Sequence, residues 1–519
     1  MRRFNTTGPC FPDEHYMLDA ESRLADIRGL IDNKSYFVIH AARQSGKTTL
    51  LNSLEQTINR KGRYYALYCS LEAVQSFPDP EKGIPQIFNC IISAIEISGL
   101  PLKESLENIA GKIDKNEIAV SIKRLFHILC SMLDKPLVVF FDEADCLSEG
   151  TVITFLRQLR DGYINRGRAQ FIHSLALVGM RNIRDYKGKI RKDTDTMGSA
   201  SPFNIVSKAL TLKNFTREEI RVLYSQHADE TGQIFEPESV DRVHWWTDGQ
   251  PWLVNAIALE CVEEQLRNDF TVPVTQEMVE KAVHAIILRR DVHIDSLMER
   301  LHEDRVRKVI EPVITGSENI ISLSADDTLY CMDLGLLKIA AGELIVSNPV
   351  YREVFIRMLT QDTQFNLISK IPATPWLLQD GINMSGLLKA FQEFWRENSE
   401  IWAEKYEYKE AAPHLILQAF LQRVVNGGGE ILREYASGRR RFDLCVKYAG
   451  KKYPIELKLR YGNRTEQDGL EQLGAYMDNA GEHEGWLVIF DRESDKSWEQ
   501  KIYWKTIEVA QGRIHVAGC

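Results

Sequence analysis

Two sets of residues in this sequence have the types and spacing of phosphate chemistry. The first is His40-Ala41-Ala42-Arg43-Gln44-Ser45-Gly46-Lys47-Thr48-Thr49, directly after the apolar run Tyr36-Phe37-Val38-Ile39. A loop of inward-pointing backbone N–H groups that runs into a helix N-terminus is a ready anion site. Gly46 permits close approach of the backbone, Lys47 can reach β- and γ-phosphates, and Thr48 offers a hydroxyl to Mg2+, with Ser45 and Thr49 flanking them. The run fits the pattern G-x-x-x-x-G-K-[ST] except at its first position, where Ala41 stands for glycine and a Cβ must be tolerated. The partner comes 95 residues after Lys47, where Leu137-Val138-Val139-Phe140-Phe141 ends in Asp142 and Glu143. Asp142 is placed to hold the Mg2+ shell and Glu143 to polarise an attacking water. Either half is common by itself. Together, each after a strand and in this order, they predict binding and hydrolysis of ATP.

The second set lies near the other end. Arg441-Phe442-Asp443-Leu444-Cys445-Val446-Lys447-Tyr448 alternates in the manner of a strand, as does Tyr453-Pro454-Ile455-Glu456-Leu457-Lys458-Leu459, and Ala449-Gly450-Lys451-Lys452 joins them as a hairpin. Glu456 and Lys458, two apart, project from one side, and Asp443 on the facing strand can be brought near them. Two carboxylates, Asp443 and Glu456, could hold Mg2+ or Mn2+ to activate water on a phosphodiester, with Lys458 positioning that water. Between Glu430 and Arg464 stand ten Lys or Arg against four acids, and Arg439, Arg440 and Arg441 among them are candidates for nucleic-acid phosphates. The alternative for Glu456 and Lys458 is a solvated strand face with cross-strand ion pairs.

These residues need elements to hold them. The runs at 36–39, 64–68, 137–141 and 174–178 are continuous apolar strands separated by helical patterns, which predicts a parallel sheet buried on both faces. From about 206 to 300 the pattern turns helical, with Thr216-Arg217-Glu218-Glu219 as a helix start. Residues 301–369 mix short helices with Leu344-Ile345-Val346, as in a small winged helix, and 370–399, with its two prolines, reads as a linker. The last segment, 400–519, runs helix, hairpin, a helix opening near Gln472, then the strand Trp486–Phe490. Leu175–Val178 is followed by Gly179-Met180-Arg181, so Arg181 could touch a γ-phosphate from a third strand end; the alternative is a surface ion pair, and Arg184 is its rival. Asp248-Gly249-Gln250-Pro251-Trp252 marks a turn in the helical region, for which a plain helix–helix connection is the other account.

Composition agrees with this scale. A chain of 519 residues exceeds one core, and 44% hydrophobic with 26% charged residues is ordinary globular composition. No stretch approaches the roughly 18 apolar residues of a membrane span, so no membrane partner is expected. The N-terminus has no apolar export segment, and nine scattered cysteines without a C-x-x-C pair give neither a zinc ribbon nor a disulfide framework; the expectation is a reduced, cytoplasmic protein. A net charge of -9 argues against a chain coated with nucleic acid, though not against a local basic groove.

The front motifs, the post-strand Arg181 and the Gly249-Gln250-Pro251 turn resemble the STAND and archaeal-type branch of AAA-like ATPases over residues 1–360. That resemblance implies a P-loop parallel-sheet core at 1–205, a helical lid at 206–300 whose Gly249 and Pro251 turn packs on the nucleotide base, and the segment His15-Tyr16-Met17-Leu18 near the adenine. Asp443, Glu456 and Lys458 resemble the PD-(D/E)XK nuclease pattern over 400–519, with Phe442 where the usual proline stands. This implies a restriction-endonuclease-like α/β domain, with an extra acid on the preceding helix for which Glu410 is the candidate by position. The combined expectation is an α/β protein with two catalytic domains, taking ATP and Mg2+, with nucleic acid, DNA in the first instance, as partner, homo-oligomeric assembly, and a role in prokaryotic defence. Two rivals stand beside it: a nucleotide-switched binding protein whose C-terminal domain is catalytically dead, and an ATPase motor whose C-terminal fold docks a partner.

Overall fold

The structure, a computed structural model, describes residues 1–519 except 20–22, 25, 103, 148, 180–204, 290, 316–322, 369–375, 379, 406–411, 426–428, 438–439, 461–464 and 492–495. It gives backbone only for 149, 292, 315, 360–368, 398–405, 412, 414–415, 422–425, 430, 432–437, 440–443 and 479–480. The chain divides into two compact units, the first comprising Met1–Ser296, Thr328–Glu343 and Ser347–Val350, the second Leu297–Asp327, Leu344–Val346 and Tyr351–Cys519. No helix among the described residues is long and apolar enough to cross a membrane.

The first unit is built on five parallel strands: β1 (Tyr36–His40), β2 (Tyr65–Ser70), β3 (Leu137–Asp142), β4 (Ser174–Gly179) and β5 (Val206–Thr211), in the order β2-β3-β4-β1-β5. Every residue of β3 and β4 is buried, as continuous apolar runs require when helices cover both faces. Helix α1 (Lys47–Lys61) packs Leu50, Leu51 and Leu54 on one face, together with Phe37, Phe140 and Val178. On the other face lie α2 (Pro80–Ser98), α3 (Ser121–Met132) and α4 (Glu149–Asn165). In α3, Ile122, Leu125, Phe126, Leu129 and Cys130 repeat at helical spacing and are all buried, so its stripe is set by sequence. The strand β5 was not expected. At the sheet edge it buries only Leu210, its other residues being half-buried or exposed, so the segment lacks the apolar run that marks the inner strands; the sheet therefore extends past residue 205 to Thr211.

Edge strand β2 is covered by side chains rather than by another strand. Asn59 of α1 accepts from the Ala66 N–H at 2.8 Å and donates to the Ala66 carbonyl at 3.1 Å, while Glu55 accepts from the Tyr68 N–H at 2.9 Å. Glu55 and Asn59, one helical turn apart, thus satisfy backbone groups that would otherwise invite pairing with another chain. The helical lid follows: α5 (Arg217–Thr231) starts with the capping box of Thr216 and Glu219, α6 (Pro237–Thr247) and α7 (Pro251–Leu259) flank the Gly249 turn, and α8 (Gln276–Arg289) and α9 (Val292–Leu301) close the series. Residues 301–369 contain helices Asp304–Thr315, Ala325–Asp333 and Pro349–Ile368 and short strands β6 (Leu337–Ala340) and β7 (Glu343–Val346).

The second unit carries a six-stranded sheet. After the short hairpin β8 (Leu377–Leu378) and β9 (Gly381–Ile382) come β10 (Glu430–Ser437), β11 (Arg440–Tyr448), β12 (Lys451–Leu459), β13 (Glu484–Phe490), β14 (Tyr503–Val509) and β15 (Gly512–Gly518), ordered β10-β11-β12-β13-β15-β14. The β11–β12 hairpin is antiparallel, whereas β12, β13 and β15 run parallel. Helix α10 (Met384–Lys405) occupies the second half of the segment expected to be a linker; its buried Leu387, Leu388 and Phe391 form an apolar stripe, and Phe391 meets Phe490 at 6.1 Å between ring centroids. Two prolines before residue 376 set the expectation, and they do not reach into this stripe. Helix α11 (Ala412–Val425) adds Phe420 to the same aromatic cluster, and α12 (Thr465–Ala480), which starts seven residues before Gln472, covers the opposite face with Leu473 and Met477. Because both faces are covered, the five residues Tyr453–Leu457 of β12 are buried without alternation.

The edge cover gives the first prediction. Asn59→Ala should lower stability by about 1 kcal/mol through two lost backbone contacts, read as a lower urea midpoint with an unchanged slope. An unchanged midpoint would mean that water serves the β2 edge equally well.

Candidate functional site

The loop after β1 turns into α1 through two left-handed residues, Gln44 at φ 57° and Gly46 at φ 84°. Gly46 is the N-cap of α1, so the first free N–H groups of a fifteen-residue helix open onto the loop. Ala41 explains its own departure from the glycine pattern: it keeps a negative φ, donates its N–H to the Gly179 carbonyl at 3.2 Å, and buries its methyl in the core beneath the loop. Ser45 Oγ donates to the Ala42 carbonyl at 2.7 Å and closes the turn. Lys47 is buried, its Nζ donating to the carbonyls of Ala41 at 3.1 Å and Ala42 at 3.0 Å, which holds the ammonium across the loop. Burial lowers its pKa, while Glu143 and Asp142 work in the opposite direction.

Thr48 and Asp142 meet. Thr48 Oγ1 donates to Asp142 Oδ2 at 2.8 Å, and the same oxygen accepts the Tyr68 phenol at 3.1 Å; Asp142 Oδ1 accepts the Glu143 N–H at 3.0 Å. A hydroxyl and a carboxylate, both hard oxygen donors, are the donor set that Mg2+ takes. Glu143 sits in the left-handed region at φ 52°, an uncommon conformation for a non-glycine residue and one that concentrates at functional sites. Burial raises the Glu143 pKa, Lys47 opposes this, and Asp142 adds to it.

Thr49 has a different part from its neighbours: its Oγ1 accepts the Cys10 N–H at 2.9 Å and ties the N-terminal segment to α1. That segment is held to the lid as well, through Trp252 Nε1 on the Thr6 carbonyl at 2.8 Å. A solvent-open cleft of about 490 Å³ lies here, lined among others by Met17, Leu18, Gly46, Thr49 and Pro251. At Gly249, φ 71° and the Phe215 carbonyl, with which any Cβ would collide, both require glycine. Gln250 then caps α7 by accepting the Leu253 N–H at 2.6 Å and donates Nε2 to the Gln44 carbonyl at 3.3 Å. Sequence inspection missed Tyr68, the Gln250 contact with the loop and the Cys10 contact; a lone tyrosine or glutamine carries no motif for a contact with a group distant in sequence. Arg181, with its rival Arg184, lies outside the described residues.

In the second unit, Glu456 and Lys458 are together. Lys458 Nζ donates to Glu456 Oε1 at 2.8 Å, with the glutamate side chain 2% and the lysine 25% exposed, so the pair is largely withdrawn from water. They are on the face covered by α12, where Gly469 lets the helix pass over Lys458 Cγ and Leu487; a Cβ there would crowd the Leu487 methyls. The β11–β12 ladder runs from Tyr448↔Lys451 to Leu444↔Ile455, so Asp443 and Glu456 occupy the next facing register positions. Backbone alone is described for Arg440, Arg441 and Asp443, and the two arginines begin β11 opposite Ser437 and Ala436. Arg439 and Glu410 lie outside the described residues. Among the described residues no group of three or more His, Cys, Asp or Glu is arranged to hold a metal ion.

The raised Glu143 pKa has a consequence for stability. A carboxyl whose folded pKa exceeds its unfolded value binds its proton more tightly when folded, so its contribution is present below the ordinary 4.5 and is lost as pH rises through the raised value. Nucleotide-free Glu143→Gln should therefore melt above wild type at pH 7, with the gap closing toward pH 4. A gap independent of pH in thermal scans would locate its origin elsewhere than in the buried charge.

A model of the AAA-like domain family matches residues 25–357. Compared with curated proteins, the sequence matches none. Among solved structures, the Walker-type ATPase paby2304 of Pyrococcus abyssi is 14% identical with a TM-score of 0.48, over 68% of this chain and 99% of that one. Cdc6p from Pyrobaculum aerophilum is 16% identical with a TM-score of 0.36, over 68% and 97% of the two chains. A RuvB variant of Thermotoga maritima is 13% identical with a TM-score of 0.34, over 68% and 95%. The loop, the strand-end carboxylates and a family match spanning well over half of the chain agree: the protein belongs to the AAA-like domain family.

Proposed function

We propose that the first unit hydrolyses ATP with Mg2+ and that the second cleaves nucleic acid, DNA in the first instance, in a metal-dependent reaction. The contact of Thr48 with Asp142, 2.8 Å across 94 residues of sequence, is the observation that carries the first part. Gly46 and the α1 N-terminus present N–H groups to the phosphates, Lys47 supplies the positive charge, and the cleft beside Pro251, Met17 and Leu18 takes the base. Thr48 and Asp142 would hold Mg2+, which neutralises developing phosphate charge when bound. Glu143, adjacent to that shell, orients the water and takes its proton, a task for which a raised carboxylate pKa suits it.

Lys47→Ala should weaken nucleotide binding about 10–100-fold, since a charge-assisted contact is lost. Glu143→Gln should bind ATP normally and slow its hydrolysis by about 100-fold or more. Equal turnover by Glu143→Gln and wild type in a phosphate-release assay would remove Glu143 from the reaction.

For the second unit the supporting observation is the pair of buried Glu456 and half-buried Lys458 on an inner strand, with Asp443 at the register position facing Glu456. Glu456 with Asp443 would hold Mg2+ or Mn2+, and Lys458 would position the attacking water. Asp443→Ala and Glu456→Ala should abolish cleavage of plasmid DNA while ATP hydrolysis continues, and Lys458→Ala should retain metal binding with a slower cut. Cleavage by all three at the wild-type rate would end the nuclease assignment. A wild type that binds but cuts neither DNA nor RNA with either metal, with or without ATP, would put a nucleotide-switched binding protein in its place.

A further inference from the structure

The carboxylate of Asp142 is served by a residue that belongs to no phosphate-binding motif. Tyr68 lies on edge strand β2, and in the β2–β3 register Ser70 stands opposite Asp142, two residues beyond Tyr68. Its phenol donates to Asp142 Oδ2 at 3.1 Å, the atom that Thr48 Oγ1 reaches at 2.8 Å. Its own backbone is fixed by Glu55, which takes the Tyr68 N–H at 2.9 Å. Asp142 is 1% exposed, and these donors come from the protein's own groups. Tyr68 also lines a groove of about 1580 Å³ between α1 and α2, distinct from the cleft beside the phosphate loop.

We infer that Tyr68 is a positioning residue for the divalent cation of the ATP site, acting through Asp142. The inference rests on the assignment of ATP and Mg2+ to the first unit. The Thr48 hydroxyl can keep its hydrogen on Asp142 while its oxygen faces the cation, so it serves both groups at once and shares the task of orienting the carboxylate. Tyr68 is the side-chain donor with no other duty at the cation that keeps Oδ2 in place, while the Glu143 N–H keeps Oδ1. The carboxylate then stays in one orientation as cation and nucleotide come and go. Partners that orient a metal-holding carboxylate govern metal affinity although they never touch the metal. Tyr68 stands outside the phosphate loop and, besides Asp142, meets the Thr48 hydroxyl, so its removal should act on the two oxygen donors of the cation and leave nucleotide binding without cation intact.

The test measures binding rather than turnover. A non-hydrolysable ATP analogue is titrated into the full-length protein by calorimetry, once in Mg2+ and once in EDTA, for wild type, Tyr68→Phe and Asn59→Ala. The ratio of the two affinities reports the cation. Tyr68→Phe, which keeps the ring and loses one hydroxyl, should retain its affinity in EDTA within about twofold and lose about tenfold in the Mg2+-dependent gain. Asn59→Ala disturbs the same strand edge and should keep the wild-type ratio. An unchanged ratio in Tyr68→Phe overturns the inference, as does an equal loss in Mg2+ and in EDTA, which would make Tyr68 a packing residue. A loss of ratio in Asn59→Ala as large as in Tyr68→Phe also overturns it, since strand disturbance would then suffice. If wild type binds no nucleotide in either condition, the ATP assignment itself falls and the inference with it.

Discussion

A carboxylate at the end of a fully buried strand must have donors aimed at it, and Asp142 imposes that demand on everything around the phosphate loop. An unpaired charge at 1% exposure would cost several kcal/mol. Thr48, Tyr68 and the Glu143 N–H meet it from three directions. Each donor constrains a different element: Thr48 fixes the first turn of α1, Tyr68 the edge strand β2, and Glu143 the turn after β3, which has to enter the left-handed region to present its N–H. The parallel sheet exists to bring these strand ends to one edge, and its apolar interior makes the charge at that edge strong.

The phosphate loop is braced from outside as well as from beneath. Ala41 anchors it to the sheet, Gln250 reaches the Gln44 carbonyl from the lid, and Gly335 passes so close to the Ala42 methyl that any side chain there would collide. Arg43 donates to Ser296 Oγ at 2.7 Å. The N-terminal segment closes the remaining side through Cys10 on Thr49 and Trp252 on the Thr6 carbonyl. These contacts join the loop to segments far away in sequence but in the same compact unit.

The second unit meets a related problem in another way. Glu456 is nearly inaccessible and is held by Lys458 two residues along the same strand, beneath a helix that glycine allows to come close. An antiparallel hairpin usually keeps one face in water. Here α12 covers one face and α10 the other, so polar residues on β12 become buried and their pairing matters more than on a solvated strand.

By itself the sequence determined the inner strands, the phosphate loop, the Asp142 strand end, the capping box at Thr216 and the β11–β12 hairpin. Each depends on local periodicity or on residue types a few positions apart, which a linear reading can see. It also placed Glu456 and Lys458 on one side, since a period of two decides that. Strand β5 and helix α10 escaped: an edge strand with exposed residues carries little apolar signal, and two prolines drew attention away from the amphipathic stripe after them. Only the tertiary structure decided that Thr49 holds the N-terminal segment, that Tyr68 serves Asp142, that Gln250 touches the loop, and that Glu456 is buried. These facts depend on which distant groups share a space, and nothing in local spacing encodes that; close packing of a folded chain settles it.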